Sequence, residues 1–417
     1  MLTSSFLLTV ILLALTSTAS PVVTVRDSLI RLPFAKRVYK AGLLSLHARD
    51  QVRVHHLKAL AKAKSTGQPS THAATTVVSV NATNSVVDYV LDVGVGTPPT
   101  TYSLLVDTGS SNTWVGAGQR FVRTSSSVET KDRVSVTYGS GEFSGTEFTD
   151  TVTLASGLVI PSQSIGVATR AEGFQGVDGI LGIGPTDLTL DTLRPDSGNT
   201  VPTVTDNLFS QGTITEDLVA VSFEPTTSDS ITNGELTFGG TDSSKFTGKI
   251  SFAPVTTTSP ANEFWGIDET ITYGASGTTI LAETAGIVDT GTTLLLIASD
   301  AFSLYQKATG AVEDRNTGLL RLTTAQFAKL DSLFFNINGT TFEFTANAQA
   351  WPRALNTAIG GNTNSVYLVV GNLGTPSGEG LDFVNGQVWL ERFYSVFDTT
   401  NRRIGFATTS FTNATTN

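Results

Sequence analysis

The chain has 417 residues, of which 40% are hydrophobic and only 15% charged, with 39 Gly and no Cys. This length allows two domains of ordinary size, and the Thr-, Ser-, Val- and Gly-rich text is that of a strand-rich protein with many turns. Without Cys, no disulfide, thiolate nucleophile or Cys-ligated metal is possible, and the formal net charge of −10 turns out to be unevenly placed.

The N-terminus opens with a short apolar run, Phe6 to Leu15, followed by Ser17-Thr18-Ala19. This is a secretory signal pattern with cleavage after Ala19, although no basic residue precedes the run. It is shorter than the roughly 20 residues a membrane helix needs, and no other stretch is apolar enough to cross a bilayer. From Ser20 to His72 the charge is basic. Arg26, Arg31, Lys36, Arg37, Lys40, Arg49, Arg53, Lys58, Lys62 and Lys64 stand against Asp27 and Asp50 alone, leaving 16 basic and 34 acidic residues elsewhere. Such a stretch reads as a solvated helix, a tail for nucleic acid, or a pro-segment. Behind a secretory signal nucleic acid is a poor partner. A pro-segment that pairs with the acidic body and loosens on acidification fits better. Leu43, Leu44, Leu46, Leu57 and Leu60 allow it to pack as a helix.

From Asp88 onward, short alternating segments are separated by turn residues. Residues 89–96 read as a strand, Thr97-Pro98-Pro99 as a turn, and 102–106 as a returning strand that delivers Asp107. Residues 134–138 and 142–149 read as a hairpin with Gly139-Ser140-Gly141 at its tip. Helices are few: 203–210, ending before Gly212, and 300–309, ending before Gly310. Thr256-Thr257-Thr258-Ser259-Pro260 reads as a linker between two lobes.

The triplet Asp-Thr-Gly occurs on both sides of that linker, as Asp107-Thr108-Gly109 and Asp289-Thr290-Gly291, each after an apolar run. Gly179-Ile180-Leu181-Gly182 and 381–386 echo one another after the two copies and suggest strands crossing beneath the turns. One triplet is an ordinary turn; two in matched frames point to an internal duplication that brings two carboxylates together. Two such groups cannot both ionise cheaply, so one proton is shared. The ionised member takes a proton from a water and the other gives one to a carbonyl oxygen, which hydrolyses an amide without nucleophile or metal. The N–H groups of Gly109 and Gly291 are placed to donate to the carboxylates, the Thr hydroxyls to tie the turns together, and Ser110 and Thr292 to bond the outer oxygens. All four His, at 47, 55, 56 and 72, fall in the basic segment. The body therefore holds no Ser-His-Asp triad, Cys-His pair or His-bound zinc, and its Gly-x-Gly runs lack the spacing of a phosphate loop.

On these residues the chain resembles the pepsin-type (family A1) aspartic proteases. The motifs are Asp107-Thr108-Gly109-Ser110-Ser111-Asn112-Thr113-Trp114, Val136-Thr137-Tyr138-Gly139-Ser140-Gly141, Asp178 to Gly182, Ile287 to Thr293, and Phe393 to Asp398, and the resemblance covers the chain from about residue 73. It implies a mainly β, bilobal fold, with two β-rich lobes related by a pseudo-two-fold and a cleft between them. The organisation expected is signal peptide 1–19, pro-segment 20–72, first lobe 73–255 and second lobe 256–417. Asp107 and Asp289 become the catalytic pair, whose split proton affinities are a known property of the family.

The resemblance further implies that Tyr138 closes over substrate with Trp114 behind it. Gly139 and Ser140 would hold substrate backbone, and Ile180, with Val177 and Phe264, would line a pocket. Ser140, where relatives that cleave after Lys carry Asp, implies a preference for bulky apolar residues. No cofactor or metal is implied. The partners are protein and peptide substrates, pepstatin-type inhibitors and the chain's own pro-segment, with no nucleic acid and no membrane, in a secreted monomer. A vacuolar address and a non-catalytic binding or inhibitor module are the alternatives. Gln387 departs from the family, which commonly carries Asp there, and Asn81, Asn338 and Asn413 head glycosylation sequons.

Overall fold

The computed structural model of the protein describes residues 29–40, 45–66, 85–139 and 141–416. The signal region, Leu43, Leu44, the His72/Ala73 junction, Asn81 and Ser140 lie outside the described residues.

Two copies of one strand motif organise the chain. In the first, Thr100–Asp107 lies antiparallel to Ser85–Val95 and parallel to Gly179–Gly182, which is flanked in turn by Trp114–Val115. In the second, Thr278–Val288 lies antiparallel to Gly266–Tyr273 and parallel to Phe383–Asn385, flanked by Leu295–Ile297. The central strands are covered on both faces. This is why Leu104-Leu105-Val106 and Gly286-Ile287-Val288 read as unbroken apolar runs rather than alternating ones.

The first motif belongs to a fourteen-stranded sheet and the second to a seven-stranded sheet. The chain's last two strands, Phe393–Asp398 and Arg403–Thr408, leave the second motif and join the larger sheet beside Leu218–Ser222 and Thr247–Pro254. The two halves thus share one sheet. The helices expected near 203–210 and 300–309 form as Val204–Ser210 and Ser299–Thr309. Thr203 caps the first reciprocally with Asp206, and Gly310, at φ 65°, ends the second in the left-handed conformation.

The basic segment forms a strand, Ile30–Lys40, as well as the anticipated helix, Leu46–Thr66. The strand is the larger departure from expectation, since Pro33 and four basic residues obscure its alternation. It lies inside the large sheet, between Ser230–Phe238 and Ser85–Val95, with Leu32, Phe34 and Lys36 on the buried side. Phe34 meets Tyr89 and Phe223 edge-on at 5.5 and 5.4 Å, and those two rings stack at 3.7 Å. Buried Lys36 is satisfied by an ion pair with Glu391, which also accepts from Tyr89 Oη at 2.9 Å. From the helix, Leu46, Val54, Leu57 and Ala61 enter the same core, while Leu60 is half-buried.

This leader is therefore part of the fold's interior. Phe34→Ala is expected to cost about 3–5 kcal/mol of unfolding free energy in the full chain, as measured by denaturant titration at neutral pH. A loss below about 1 kcal/mol would mean the strand is not packed as described.

Candidate active site

Asp107 ends its strand, and Asp289 follows Val288 at the equivalent place. In each turn the Gly N–H donates back to the carboxylate, Gly109 to Asp107 Oδ1 and Gly291 to Asp289 Oδ1, both at 2.9 Å. The outer oxygens accept from Ser110 Oγ and Thr292 Oγ1, both at 2.5 Å. The two turns are locked to each other by their threonines. Thr108 N–H donates to Thr290 Oγ1 and Thr290 N–H to Thr108 Oγ1, each at 2.9 Å. The same hydroxyls donate to Val288 O at 3.2 Å and Val106 O at 2.9 Å. Glycine is required by close approach. A Cβ on Gly109 would stand 2.6 Å from Asp289 Oδ1, and one on Gly291 2.6 Å from Asp107 Oδ1.

Beneath each turn runs the crossing strand. Ile183 N–H donates to Asp107 O at 2.9 Å, and Asp289 N–H donates to Asn385 O at 3.2 Å. The departure at Gln387 is explained here. Its fully buried side chain donates from Nε2 to Thr290 O at 2.9 Å, which an ionised Asp at that place has no hydrogen to do.

Arg53, from the leader helix, occupies the space between the carboxylates. Its Nε and Nη2 reach Asp289 Oδ2 and Oδ1 at 2.8 and 2.9 Å, and Nη2 also reaches Asp107 Oδ1 at 2.7 Å. All three side chains are buried. Burial opposes the charge on Arg53, yet the two carboxylates hold its proton more tightly than usual. Burial likewise pushes both acids upward. At Asp289 the two-point contact with Arg53, with Thr292 and Gly291 N–H, outweighs burial and holds the carboxyl below its ordinary value. At Asp107, which has a single contact, burial and the neighbouring Asp289 prevail and its value is raised. Beside Arg53, Asp289 is therefore the more readily ionised of the two and Asp107 the less readily.

Other leader residues fix the helix. Asp50 Oδ2 accepts from Thr293 and Leu294 N–H at 3.1 and 2.8 Å, and burial raises its carboxyl to about 7. Arg49 pairs with Asp88 at 3.2 Å, and His47 and Gln51 both meet Asn372 O. Neither Arg53 nor Asp50 stands out in the sequence, where Arg53 is one of ten basic residues and Asp50 has no motif around it.

The anticipated hairpin forms as Val128–Thr137 and Glu142–Ala155. Tyr138 is buried at its tip, with its ring 6.4 Å from that of fully buried Trp114 and edge-on to Phe174 at 5.4 Å. Gly139 has φ 76°, and a Cβ there would stand 2.6 Å from Val52 O of the leader helix, so helix and hairpin tip are in contact. Val177, Ile180, Phe174 and Tyr138 line one small cavity that reaches Arg53 and Gly291. Phe264 lies instead in the main core.

Comparison with known proteins is consistent with this arrangement. The model of the eukaryotic aspartyl protease family matches residues 88–409. This chain belongs to that family. It is 72% identical to polyporopepsin of Irpex lacteus over 339 residues, 81% of this chain and 99% of that protein. It is 31% identical to human gastricsin over 342 residues, 77% of this chain and 81% of the other. The crystal structure of aspartic proteinase from Irpex lacteus superposes with a TM-score of 0.78, covering 79% of this chain and 96% of that one at 72% identity. The protein is an aspartic-type endopeptidase, a hydrolase with the bilobal pepsin-like fold. The family match begins at residue 88, after the leader strand and helix.

The threonine lock makes a direct prediction. Thr108→Val and Thr290→Val each leave a buried backbone N–H without its acceptor and are expected to cost about 1–3 kcal/mol in urea unfolding. Indistinguishable stability in both variants would contradict the crossed geometry.

Proposed function

We propose that this aspartic endopeptidase is a secreted acid protease made as a zymogen, with Asp107 and Asp289 as its catalytic pair. The observation that carries this reading is the Arg53 guanidinium clasped between two buried carboxylates, in the place a shared water must occupy. With the leader withdrawn, one carboxylate is ionised and takes a proton from the water. The water oxygen attacks the peptide carbon, and the protonated partner gives its proton to the carbonyl oxygen. Tyr138 and Trp114 cover the site, Gly139 and Ser140 hold substrate backbone, and Ile180 with Val177 and Phe174 favours bulky apolar side chains next to the cut. Residues 1–19 are then the secretory signal, 20–72 the pro-segment, and 73–255 and 256–417 the two lobes of a monomeric extracellular enzyme open to pepstatin-type inhibitors. Both acids and Tyr138 are present, which disfavours a non-catalytic binding module.

Asp107→Asn and Asp289→Asn are each expected to abolish hydrolysis of a denatured protein at pH 3–4 while circular dichroism stays native; hydrolysis by either variant would remove that residue from the mechanism.

The leader contacts fix the direction of the pH response. Asp289 is held below its ordinary value, so its ion pair contributes fully above the unfolded value of about 3.9 and is lost as pH falls through the depressed one. Asp50 runs the other way. Raised to about 7, it contributes fully at low pH and weakens as pH rises through 7, so it is not the acid trigger. Arg53→Met removes the cation and is expected to release activity at a pH at least about one unit higher than in the parent chain. An unchanged activation pH in a folded Arg53→Met chain would show that Arg53 is not the lock.

A further inference from the structure

Beneath the Asp289 turn lies a buried polar pair that the reaction above does not use. Glu269, on Gly266–Tyr273, is buried, and its Oε2 accepts from Asn385 Nδ2 at 2.8 Å. Asn385 is fully buried at the end of Phe383–Asn385, and its carbonyl is the acceptor for Asp289 N–H. The second atom of each group, Glu269 Oε1 and Asn385 Oδ1, has no hydrogen-bond partner among the described residues. Two buried acceptors left in this state are costly. A single proton resolves both. A neutral Glu269 carries a donor as well as an acceptor, so one proton on it supplies the hydrogen that Asn385 Oδ1 lacks while Asn385 Nδ2 keeps its bond to Oε2.

The first lobe provides an internal comparison. Strand register places Val93 opposite Tyr102 where Glu269 stands opposite Thr284, and Leu181 opposite Val106 where Asn385 stands opposite Val288. Val93 and Leu181 are both fully buried. Apolar side chains therefore occupy these places under the Asp107 turn, and the fold does not demand an acid and an amide under Asp289.

We propose that Glu269 is a positioning residue that holds the Asp289 turn through Asn385 only while it is protonated, which gives the enzyme an alkaline limit separate from the titration of the catalytic pair. The charged groups on the elements around it are otherwise engaged or exposed. Asp268 on its own strand and Glu283 on the neighbouring one are exposed, and the paired Leu333–Ile337 and Phe383–Asn385 carry no charged residue. Asp382, buried just before Phe383, accepts from Thr284 Oγ1 opposite Glu269 and from Gly378 and Glu379 N–H, and Asp289 lies one residue past Val288. Burial pushes the Glu269 carboxyl up to about 8, and the Asn385 amide pulls against it. A carboxyl raised in this way contributes fully below its unfolded value of about 4.3, and its contribution is lost as pH rises through about 8. Once ionised, it sets a carboxylate against Asn385 Oδ1 and strains the strand end that accepts Asp289 N–H.

The proposal rests on Asp289 being catalytic, and its test is separable from that reading. The full chain is activated by acid, and the resulting enzyme is held at pH 5 to 9 and then assayed at pH 4, each variant normalised to its own unincubated activity. Glu269→Gln offers the same donor and acceptor at every pH, so its inactivation midpoint is expected about one unit or more above wild type. Its unfolding equilibrium should also gain on wild type by about tenfold per pH unit between 5 and 8. Glu269→Val with Asn385→Leu, the first lobe's arrangement, should shift the midpoint the same way.

Positioning is distinguished from plain stability by kcat. Glu269→Val alone leaves the Asn385 amide unpaired and should lower kcat at pH 4 with KM little changed, while Glu269→Gln restores it. A wild-type midpoint in Glu269→Gln, or an unchanged kcat in Glu269→Val, overturns the proposal. If Glu269→Gln fails to fold, chain labelled with 13C at the glutamate carboxyls decides, in a Glu147→Gln background because burial also raises Glu147 to about 7: one signal titrating near 8 supports the pair, and all signals titrating below about 6 overturn it. Activity retained by Asp289→Asn would instead remove the catalytic reading and leave the midpoint shift standing.

Discussion

Two carboxylates buried face to face are the constraint on which this structure turns. Unit charges about 4 Å apart repel by about 4 kcal/mol at an effective dielectric near 20, and a single hydrogen bond returns only about 1 kcal/mol. No one contact can hold such a pair, and the chain uses many. Each acid receives a Gly N–H and a hydroxyl, and the threonines cross-brace the turns through four hydrogen bonds. Glycines at 109 and 291 leave room for the facing carboxylate. What remains is a demand for one positive charge, which a shared proton or a cation can meet. With the leader docked, Arg53 meets it.

A buried ion pair is poor evidence of net stability, because desolvation offsets much of the attraction. The leader's hold must therefore come largely from elsewhere. Phe34 and Leu32 in the sheet, and Val54, Leu57 and Ala61 on the helix, supply the apolar burial. Lys36–Glu391 and the Asp50 contacts to Thr293 and Leu294 orient it. On the proposed zymogen reading, Arg53 is a specific plug on an anchor that other residues provide, and removing the plug is different from removing the anchor.

Much of the site was legible in the sequence because its signals are local. An acid after an apolar run and before Gly marks each turn, Gly139 marks the hairpin tip, and the absence of His from the body removes rival chemistries. Ser110 and Thr292 follow from their places in the repeated turn. The leader strand was illegible because Pro33 and the basic residues hide its alternation, and its partners lie 45 or more residues away in the chain. Arg53 could not be singled out among ten basic residues without knowing which helix face meets the dyad. Asp50 was hidden for the same reason, since its partners are backbone N–H groups more than 240 residues distant. Gln387 was visible only as a departure, and its bond to Thr290 O supplies the reason for it.

The two halves of the molecule repeat a strand plan without repeating its chemistry. Buried Val93 and Leu181 stand in one half where Glu269 and Asn385 stand in the other, and the cation from the leader grips Asp289 at two points and Asp107 at one. Occupation of the dyad by Arg53 is the claim on which the function depends. Calorimetric titration of the full chain with pepstatin, at neutral pH and again after acid treatment, tests it most directly. The account predicts no measurable binding before acid and tight binding after the leader has left. Equal affinity in both states would mean that Arg53 does not occupy the space between Asp107 and Asp289.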